Sequence, residues 1–199
     1  MKKVGTAVIL CGGKSSRMGF DKSKIEIEGR LLIEVIGEKL EKIFDEIILV
    51  AEKEDKFENL KYKVVEDMEK NYGPAGGIYT GLKCASSKYV FFLACDMPKI
   101  NIDYINYLMS IVENSECSGL ICKKDDWVEP LHAFYSKDLI KDFQKGIEEN
   151  SLALYNIIKN SNIKYIAEDI TKKYSPNLDI FINLNYVKDL DILENIFNE

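Results

Sequence analysis

Short apolar runs alternate with helical patterns in the first half of the chain, and this alternation most constrains the fold. Four runs have the length and composition of buried strands: Val4–Leu10, Glu46–Ala51, Tyr62–Val65 and Tyr89–Cys95. Between and after them, the pattern predicts helices over about 31–43, 76–85 and 102–113. Strands joined through helices pair in parallel, so this half predicts a doubly wound α/β sheet.

The second half is less regular. It predicts strands at Gly119–Cys122, Val128–Tyr135, Ile163–Ala167 and Ile180–Leu184, and helices at Ser136–Ile147, Leu152–Lys159 and Asp189–Phe197. Asp125 and Asp126 should lie near the turn between the first two of these strands, and Ser151 should cap the second helix. No Pro/Ser-rich linker or repeat interrupts the chain, so residues 1–199 are expected to form a single domain.

Composition argues against several classes of protein. The chain has 199 residues, of which 46% are hydrophobic and 30% charged, as in ordinary globular proteins. A net charge of −6 argues against a general nucleic-acid surface. No stretch approaches the ~20 apolar residues of a membrane span, and the start lacks the features of a signal peptide. Five cysteines without CxxC spacing, beside one histidine, predict reduced thiols rather than a zinc site. We therefore expect a cytoplasmic protein that binds neither nucleic acid nor membrane.

The segment Leu10–Lys22 reads L-C-G-G-K-S-S-R-M-G-F-D-K and directly follows the first predicted strand. Its glycines, Gly12 and Gly13 among them, let the backbone approach a ligand, and successive N–H groups in such a turn form an anion site. Arg17 and Lys22 are two of the three cations that add positive charge. The pattern predicts a polyphosphate-binding loop, and the alternative is a solvated glycine-rich turn.

Two aspartates follow predicted strands, Asp96 in A-C-D-M-P and Asp67 in V-V-E-D. Ligands of doubly wound sheets bind beyond the carboxyl ends of the strands, so both should lie on the same edge as the glycine-rich loop. Asp96 is a candidate Mg²⁺ ligand, because magnesium takes one or two carboxylates and completes its shell with phosphates and water. The alternative is an N-cap of the next helix. Asp67 would orient a base or ribose, or is a surface turn residue.

Other polar or aromatic residues are weaker candidates. The turn Asn71–Gly77 is glycine-rich and either approaches a nucleoside or is a plain tight turn. Asn183 and Asn185 alternate in F-I-N-L-N, so both can project to one face as donors and acceptors, unless they are turn residues. His132 is a candidate general base, but its apolar neighbours favour a structural role. Trp127 is expected to pack rather than to stack on a base.

These motifs resemble those of the molybdenum cofactor guanylyltransferases, the MobA-type enzymes. Leu10–Lys22 is similar to their L-A-G-G-x-x-x-R-M-G-x-D-K signature, with Cys11 in place of the usual alanine. The likeness continues in order through V-E-D at 65–67, G-P-A-G at 73–76, C-D-M-P at 95–98, E-P-L-H-A-F-Y at 129–135 and N-L-N at 183–185. It covers nearly the whole chain.

The resemblance implies a Rossmann-like fold of the nucleotide-diphospho-sugar transferase type, a mostly parallel sheet flanked by helices, with nucleotide bound by the first half and acceptor by the second. It implies transfer of GMP from GTP to a phosphate of molybdopterin, release of pyrophosphate, and Mg²⁺ as cofactor. The matched positions imply nucleotide contacts from Leu10, Cys11, Gly12, Gly13, Lys22, Asp67, Gly76 and Asp96, catalytic roles for Arg17, Lys22 and Asp96, metal binding by Asp96, and acceptor contacts from Asn183 and Asn185. We expect a monomer that makes transient contacts with other proteins of cofactor biosynthesis or with molybdoenzyme chaperones.

Two alternatives remain open at this stage. One is a related enzyme that uses CTP or acts on a sugar or polyol phosphate. The other is a nucleotide-binding adaptor without turnover, which the cationic loop alone would fit. Asp96 argues against the adaptor, because binding phosphate gains nothing from another anion unless a metal is present.

Overall fold

The computed structural model describes residues 2–12, 21–27, 29–57, 59–124 and 127–185. The strands are β1 (Val4–Leu10), β2 (Glu26–Ile27), β3 (Arg30–Leu31), β4 (Glu46–Ala51), β5 (Lys63–Glu66), β6 (Tyr89–Ala94), β7 (Gly119–Lys124), β8 (Trp127–Ser136) and β9 (Ile163–Ala167). The helices are α1 (Leu32–Leu40), α2 (Gly73–Cys84), α3 (Ile102–Glu113), α4 (Ile140–Glu148), α5 (Leu154–Ile158) and α6 (Glu168–Thr171). Short 3-10 turns lie at Lys22–Lys24, Glu54–Phe57, Lys137–Leu139 and Asp179–Phe181.

Seven strands form one sheet in the order β5-β4-β1-β6-β8-β7-β9. The neighbours β5, β4, β1 and β6 pair in parallel, as do β7 and β9, whereas β8 pairs antiparallel with both β6 and β7. The mostly parallel α/β sheet expected from the sequence is therefore confirmed. From β1 the chain moves outward to β4 and β5 and then returns to β6 on the other side of β1. The end of β1 consequently lies at the switch point where such sheets bind ligands.

Alternate residues of the strands form two cores, one on each face of the sheet. Ala7 and Ile9 of β1 belong to the core that packs against α1 and α3. Val8 and Leu10 belong to the core that packs against α2, α4 and α5. Because β1 is buried along its whole length, it is apolar apart from Thr6, as parallel strands covered on both faces mostly are.

The strand β8 contains an irregularity that changes which side chains share a face. Its pairing with β7 shifts between Leu120 and Cys122, where the partner moves from Phe134 to Glu129. His132 lies within this bulge with a left-handed φ of 120°. An extra residue in a strand reverses the alternation beyond it. Phe134 lies five residues after Glu129, so in a regular strand the two side chains would lie on opposite faces. Because of the bulge, Phe134 packs in the same core as Cys122, the residue that pairs with Glu129.

Two predictions in the second half are wrong. The segment 180–184 is not a strand: the 3-10 turn at Asp179–Phe181 replaces it, held by the Lys99–Asp179 ion pair at 2.6 Å. Ser151 does not cap a helix, because α5 begins only at Leu154 and Ala153 is its N-cap. The helix predicted at Ser136–Ile147 is confirmed as a 3-10 turn followed by α4, and Ser136 caps that turn. The predicted turn at 125–126 and helix at 189–197 lie outside the described residues. In the described parts of the chain, no helix is long and apolar enough to span a bilayer.

Candidate active site

Backbone hydrogen bonds join the end of β1 and the residue after it to the two neighbouring strands. The Cys11 N–H donates to the Val50 carbonyl at 2.8 Å, and the Leu10 carbonyl accepts from the Cys95 N–H at 3.1 Å. Gly12 is exposed, and a Cβ built there would meet no described atom within 4 Å. As far as the chain is described, it therefore presents an open backbone position at the switch point. The predicted site residues Gly13 and Arg17 lie outside the described residues.

Lys22, Asp96 and Asn185 come together although they lie far apart in the sequence. The Lys22 Nζ donates to Asp96 Oδ2 at 2.7 Å and to Asn185 Oδ1 at 2.9 Å. The side chains of Lys22 and Asp96 are 20% and 14% exposed, so this ion pair is largely shielded from solvent. Asp21 orients Lys22 by capping the 3-10 turn, where its carboxylate accepts from the Ser23 N–H at 3.1 Å.

Asp96 follows the buried strand β6 and is held at both its backbone and its side chain. Its carbonyl accepts from the Leu184 N–H at 2.9 Å, which fastens the C-terminal described segment beside it. The alternative that Asp96 caps the next helix is wrong, because Asn101 caps α3 through the Tyr104 N–H. A carboxylate that already holds an ammonium group has the charge and position to hold a divalent cation instead. Among the described residues, no group of three or more His, Cys, Asp or Glu could hold a metal, so such an ion would need oxygens from the substrate and water.

Asp67 lies at the end of β5, on the same sheet edge, and its hydrogen bonds build the turn into α2. Its Oδ1 accepts from Thr80 Oγ1 at 2.8 Å and from the Glu69 N–H at 3.1 Å. Burial raises the pKa of Asp67, and these two donors oppose that rise. Within the described chain, Asp67 makes no hydrogen bond to the Lys22–Asp96 pair.

Two glycines in the glycine-rich segment that leads into the first turn of α2 have structural reasons. Gly73 has a left-handed φ of 57°. At Gly76 a Cβ would approach the Glu69 carbonyl oxygen to 2.5 Å, so the packing of the turn itself requires glycine there. These contacts account for the glycines as a tight turn, and the role of Gly76 in nucleotide binding stays a prediction.

Asn183 and Asn185 follow the 3-10 turn rather than lying on a strand. The Asn185 Nδ2 donates to the Asn183 carbonyl and the Asn183 Nδ2 donates to the Phe181 carbonyl, both at 3.3 Å. The Asn185 side chain thus lies beside the Lys22–Asp96 pair. Asn183 helps to shape the segment that carries Asn185 to this position.

Glu129 is a candidate that sequence reasoning missed. It lies on β8, is only 6% exposed, and its Oε1 accepts from the Leu131 N–H at 3.0 Å. Burial, followed by the negative charge of Asp96, raises the pKa of Glu129 to about 7. The signal was a carboxylate, in E-P-L-H-A-F-Y, near the start of a mostly apolar strand.

His132 is buried, and its two ring nitrogens are the buried side-chain polar atoms that lack a partner in the described chain. Its ring packs against Phe91, Tyr104 and Phe181, with centroids 5.1–5.7 Å apart. Burial lowers the pKa of His132 to about 4, which keeps the ring neutral at physiological pH. These contacts agree with a structural histidine rather than a general base.

The five cysteines are free thiols, as expected from the sequence. Cys11 is buried at the end of β1, and burial, together with the neighbouring Cys95, raises the pKa of its thiol. The protonated thiol therefore acts as a small apolar side chain, where the resembling family usually has alanine.

Comparison with known proteins decides the family. The sequence model of the MobA-like NTP transferase domain matches residues 7–163. The chain belongs to the MobA-like NTP transferase family. This nucleotidyltransferase chain is 43% identical over 194 residues to a probable molybdenum cofactor guanylyltransferase of Peptoclostridium acidaminophilum, covering 95% of this chain and 88% of the relative. It is 41% identical over 189 residues to the molybdenum cofactor guanylyltransferase of Syntrophotalea carbinolica, covering 95% and 90%.

A solved structure has the same fold as this MobA-like chain. Molybdopterin-guanine dinucleotide biosynthesis protein A from Archaeoglobus fulgidus superposes with a TM-score of 0.85 at 25% sequence identity. The superposition covers 97% of this chain and 98% of the Archaeoglobus protein. The resemblance inferred from the motifs is therefore confirmed at the level of both sequence and fold.

Proposed function

We propose that this protein transfers GMP from GTP to a phosphate of molybdopterin and releases pyrophosphate. The observation that carries the proposal is the contact of Lys22 with Asp96 at the carboxyl edge of the sheet. It supplies a phosphate-binding cation and a metal-binding carboxylate side by side. The names of the relatives that match along nearly the whole chain support the same activity and the same two substrates.

The reaction requires no protein nucleophile. The acceptor phosphate is already anionic and attacks the α-phosphorus of GTP, and the bond to the pyrophosphate group breaks. The protein's task is to hold two negatively charged reactants in line and to offset the charge of the leaving group. Mg²⁺, when bound, supplies part of that positive charge.

The described residues divide this work. Asp96 would hold the cation, and Lys22 would bind the phosphate oxygens beside it. Leu10, Cys11 and Gly12 would contact the nucleoside, with Gly12 allowing close approach. Asn185, already bonded to Lys22, would face the acceptor together with Asn183. We further propose that the chain works as one cytoplasmic domain and as a monomer.

Pyrophosphate release tests the function directly. Purified protein is incubated with MgCl₂, molybdopterin and one of GTP, CTP, ATP or UTP, and the product is identified by its mass. We expect release with GTP that depends on molybdopterin, and a guanine dinucleotide product. Preference for CTP would identify a cytidylyltransferase instead. GTP binding without release in the presence of molybdopterin would identify a non-catalytic adaptor.

A further inference from the structure

Trp127 and Glu129 lie two residues apart on β8, before the bulge, so they share one face of the strand. Val128 between them packs into the core of α2 and α4, on the opposite face. The indole of Trp127 contacts Phe181 edge-on, with ring centroids 5.9 Å apart. Phe181 begins the segment that leads through Asn183 to Asn185. The shared face of β8 is therefore continuous with the Lys22–Asp96 site.

The carboxylate of Glu129 retains hydrogen-bonding capacity. A carboxylate accepts about four hydrogen bonds, whereas in the described chain Glu129 accepts only one, at Oε1, and Oε2 has no donor. Within the described residues Glu129 forms no ion pair, and the negative charge of Asp96 raises the pKa of its carboxyl group further. Although the residue is largely buried, Oε2 is not among the fully buried atoms that lack a partner, so donors from outside the chain can reach it. A ligand with N–H groups would supply such donors.

Trp127 is an exposed aromatic side chain beside this carboxylate. It is 45% exposed, whereas most large aromatic residues of the sheet are buried. Its contact with Phe181 is T-shaped, at an interplanar angle of 61°, so one partner meets the other through a ring edge. An exposed indole of this kind can stack on a planar heterocycle.

We propose that Trp127 and Glu129 bind the heterocycle of the acceptor: the indole stacks on the ring, and the Glu129 carboxylate accepts the two adjacent N–H groups of a 2-amino-4-pyrimidinone edge. This inference rests on the proposed function, in which the acceptor carries a pterin. The two oxygens of a carboxylate match two parallel N–H donors, as they match the fork of an arginine. Guanine has the same edge, but Glu129 lies on β8, across β6 from the β1 end that is proposed to hold the nucleoside.

Fluorescence tests the proposal because Trp127 is the single tryptophan of the chain. Pterins absorb where tryptophan emits, so bound pterin quenches Trp127. The probes are pterin and lumazine, which differ only in that lumazine has an oxo group in place of the 2-amino group. We expect saturable quenching by pterin and about tenfold weaker binding of lumazine, the effect of losing one hydrogen bond to a charged group.

The variant Glu129→Gln gives a readout that a structural role would not produce. Its amide offers one acceptor and one donor, which match the N–H and the oxo group of lumazine rather than the two donors of pterin. We expect the preference to fall by about tenfold or to reverse. The exposed Glu113→Gln is the matched control and should retain the preference for pterin. Trp127→Phe, measured by calorimetry, should weaken both probes about equally, because stacking does not distinguish them.

Three outcomes would overturn the proposal. Wild-type protein would bind pterin and lumazine equally, or Glu129→Gln, folded by circular dichroism, would keep the wild-type preference. Alternatively, Glu129→Gln would change the ratio of GTP to ITP affinity and leave that of pterin to lumazine unchanged, which would assign Glu129 to guanine. The pyrophosphate assay separates these results from failure of the function itself. Wild-type turnover with GTP and molybdopterin, without any effect of Glu129 on pterin binding, would remove only this inference.

Discussion

The ammonium group of Lys22 lies 2.7 Å from the carboxylate of Asp96, although the two residues are 74 positions apart in the sequence. Lys22 ends the glycine-rich segment that follows β1 and Asp96 follows β6, so the parallel pairing of β1 with β6 brings both residues to one edge of the sheet. An ion pair at the carboxyl edge of a parallel sheet lies where charged ligands bind. Each partner can therefore be tested separately for its part in holding the triphosphate.

Asp96→Asn should abolish most of the guanylyl transfer while leaving the fold intact. The amide keeps the shape of the side chain and can still bond to Lys22, but it removes the charge that would hold a cation. By analogy with the loss of one electrostatic contact at a transition state, we expect kcat to fall by roughly 10²–10³. Pyrophosphate release measures this. Asp103→Asn, exposed on the first turn of α3, is the matched control. Near-normal turnover of Asp96→Asn would exclude Asp96 from the mechanism.

Lys22→Met should lower kcat/KM for GTP more than Lys24→Met does. Both lysines lie in the same 3-10 turn, but Lys22 bonds to Asp96 and Asn185, whereas Lys24 is exposed. We expect kcat/KM for GTP to fall by about 10² in Lys22→Met and to change by less than about twofold in Lys24→Met. Steady-state kinetics over a range of GTP concentrations provide the measurement. Equal effects in the two variants would mean that the contact geometry of Lys22 is irrelevant.

Gly12→Ala should change the affinity for GTP, whereas Gly76→Ala should change the stability of the fold. A Cβ at Gly12 meets none of the described atoms within 4 Å, whereas one at Gly76 meets the Glu69 carbonyl oxygen at 2.5 Å. Gly12→Ala should therefore keep wild-type stability but lose affinity for GTP, because the methyl group occupies space that the ligand needs. Gly76→Ala should lower the free energy of unfolding by about 1–3 kcal/mol. Urea unfolding and GTP titration measure the two quantities. Unchanged GTP affinity in Gly12→Ala would contradict close approach at this position.

His132 should make the protein sensitive to mild acid. Because burial lowers its pKa from 6.5 to about 4, the unfolded chain binds more protons between these values, and His132 lowers stability as pH falls through that window. At pH 5 the loss from this group is about 2 kcal/mol. His132→Leu should remove this dependence, so that the difference in unfolding free energy between pH 7.5 and pH 5 shrinks by about that amount.

The comparison is made within each protein because strain at the left-handed φ of residue 132 is the same at both pH values. Glu129 titrates in the opposite sense, since its raised pKa makes the native state bind protons more tightly below about 7. It is present in both proteins and cancels. An identical pH dependence of unfolding in wild type and His132→Leu would show that His132 is not held neutral in the native state.

The sequence alone was enough to predict the parallel half of the sheet and the sheet edge on which part of the candidate site lies. Strands β1 and β4 begin and end where the apolar runs do, because a strand that is covered on both faces leaves a nearly continuous apolar signature. The same reasoning placed Asp67 and Asp96 at one edge of the sheet. Sequence order along parallel strands is enough to predict such an edge, since every strand ends on the same side.

The remainder depends on contacts that no local pattern encodes. The segment 180–184 is apolar enough for a strand. Instead, the ion pair of Lys99 with Asp179 holds its first part as a turn, and the hydrogen bond of Leu184 to Asp96 fixes its last part beside β6. The role of Glu129 depends on the antiparallel β8 and its bulge. A bulge is set by packing on both neighbouring strands, so its position cannot be derived from the alternation of a single strand.

The hydrogen bond from the Leu184 N–H to the Asp96 carbonyl has a consequence for biosynthesis. A growing polypeptide that has emerged only as far as β9 already contains Lys22 and Asp96, but it does not yet contain the segment that carries Asn185 to them. The contact of Asn185 with Lys22 thus forms only after synthesis has passed residue 185. A shorter nascent chain could collapse around its parallel strands and still lack this contact beside Asp96.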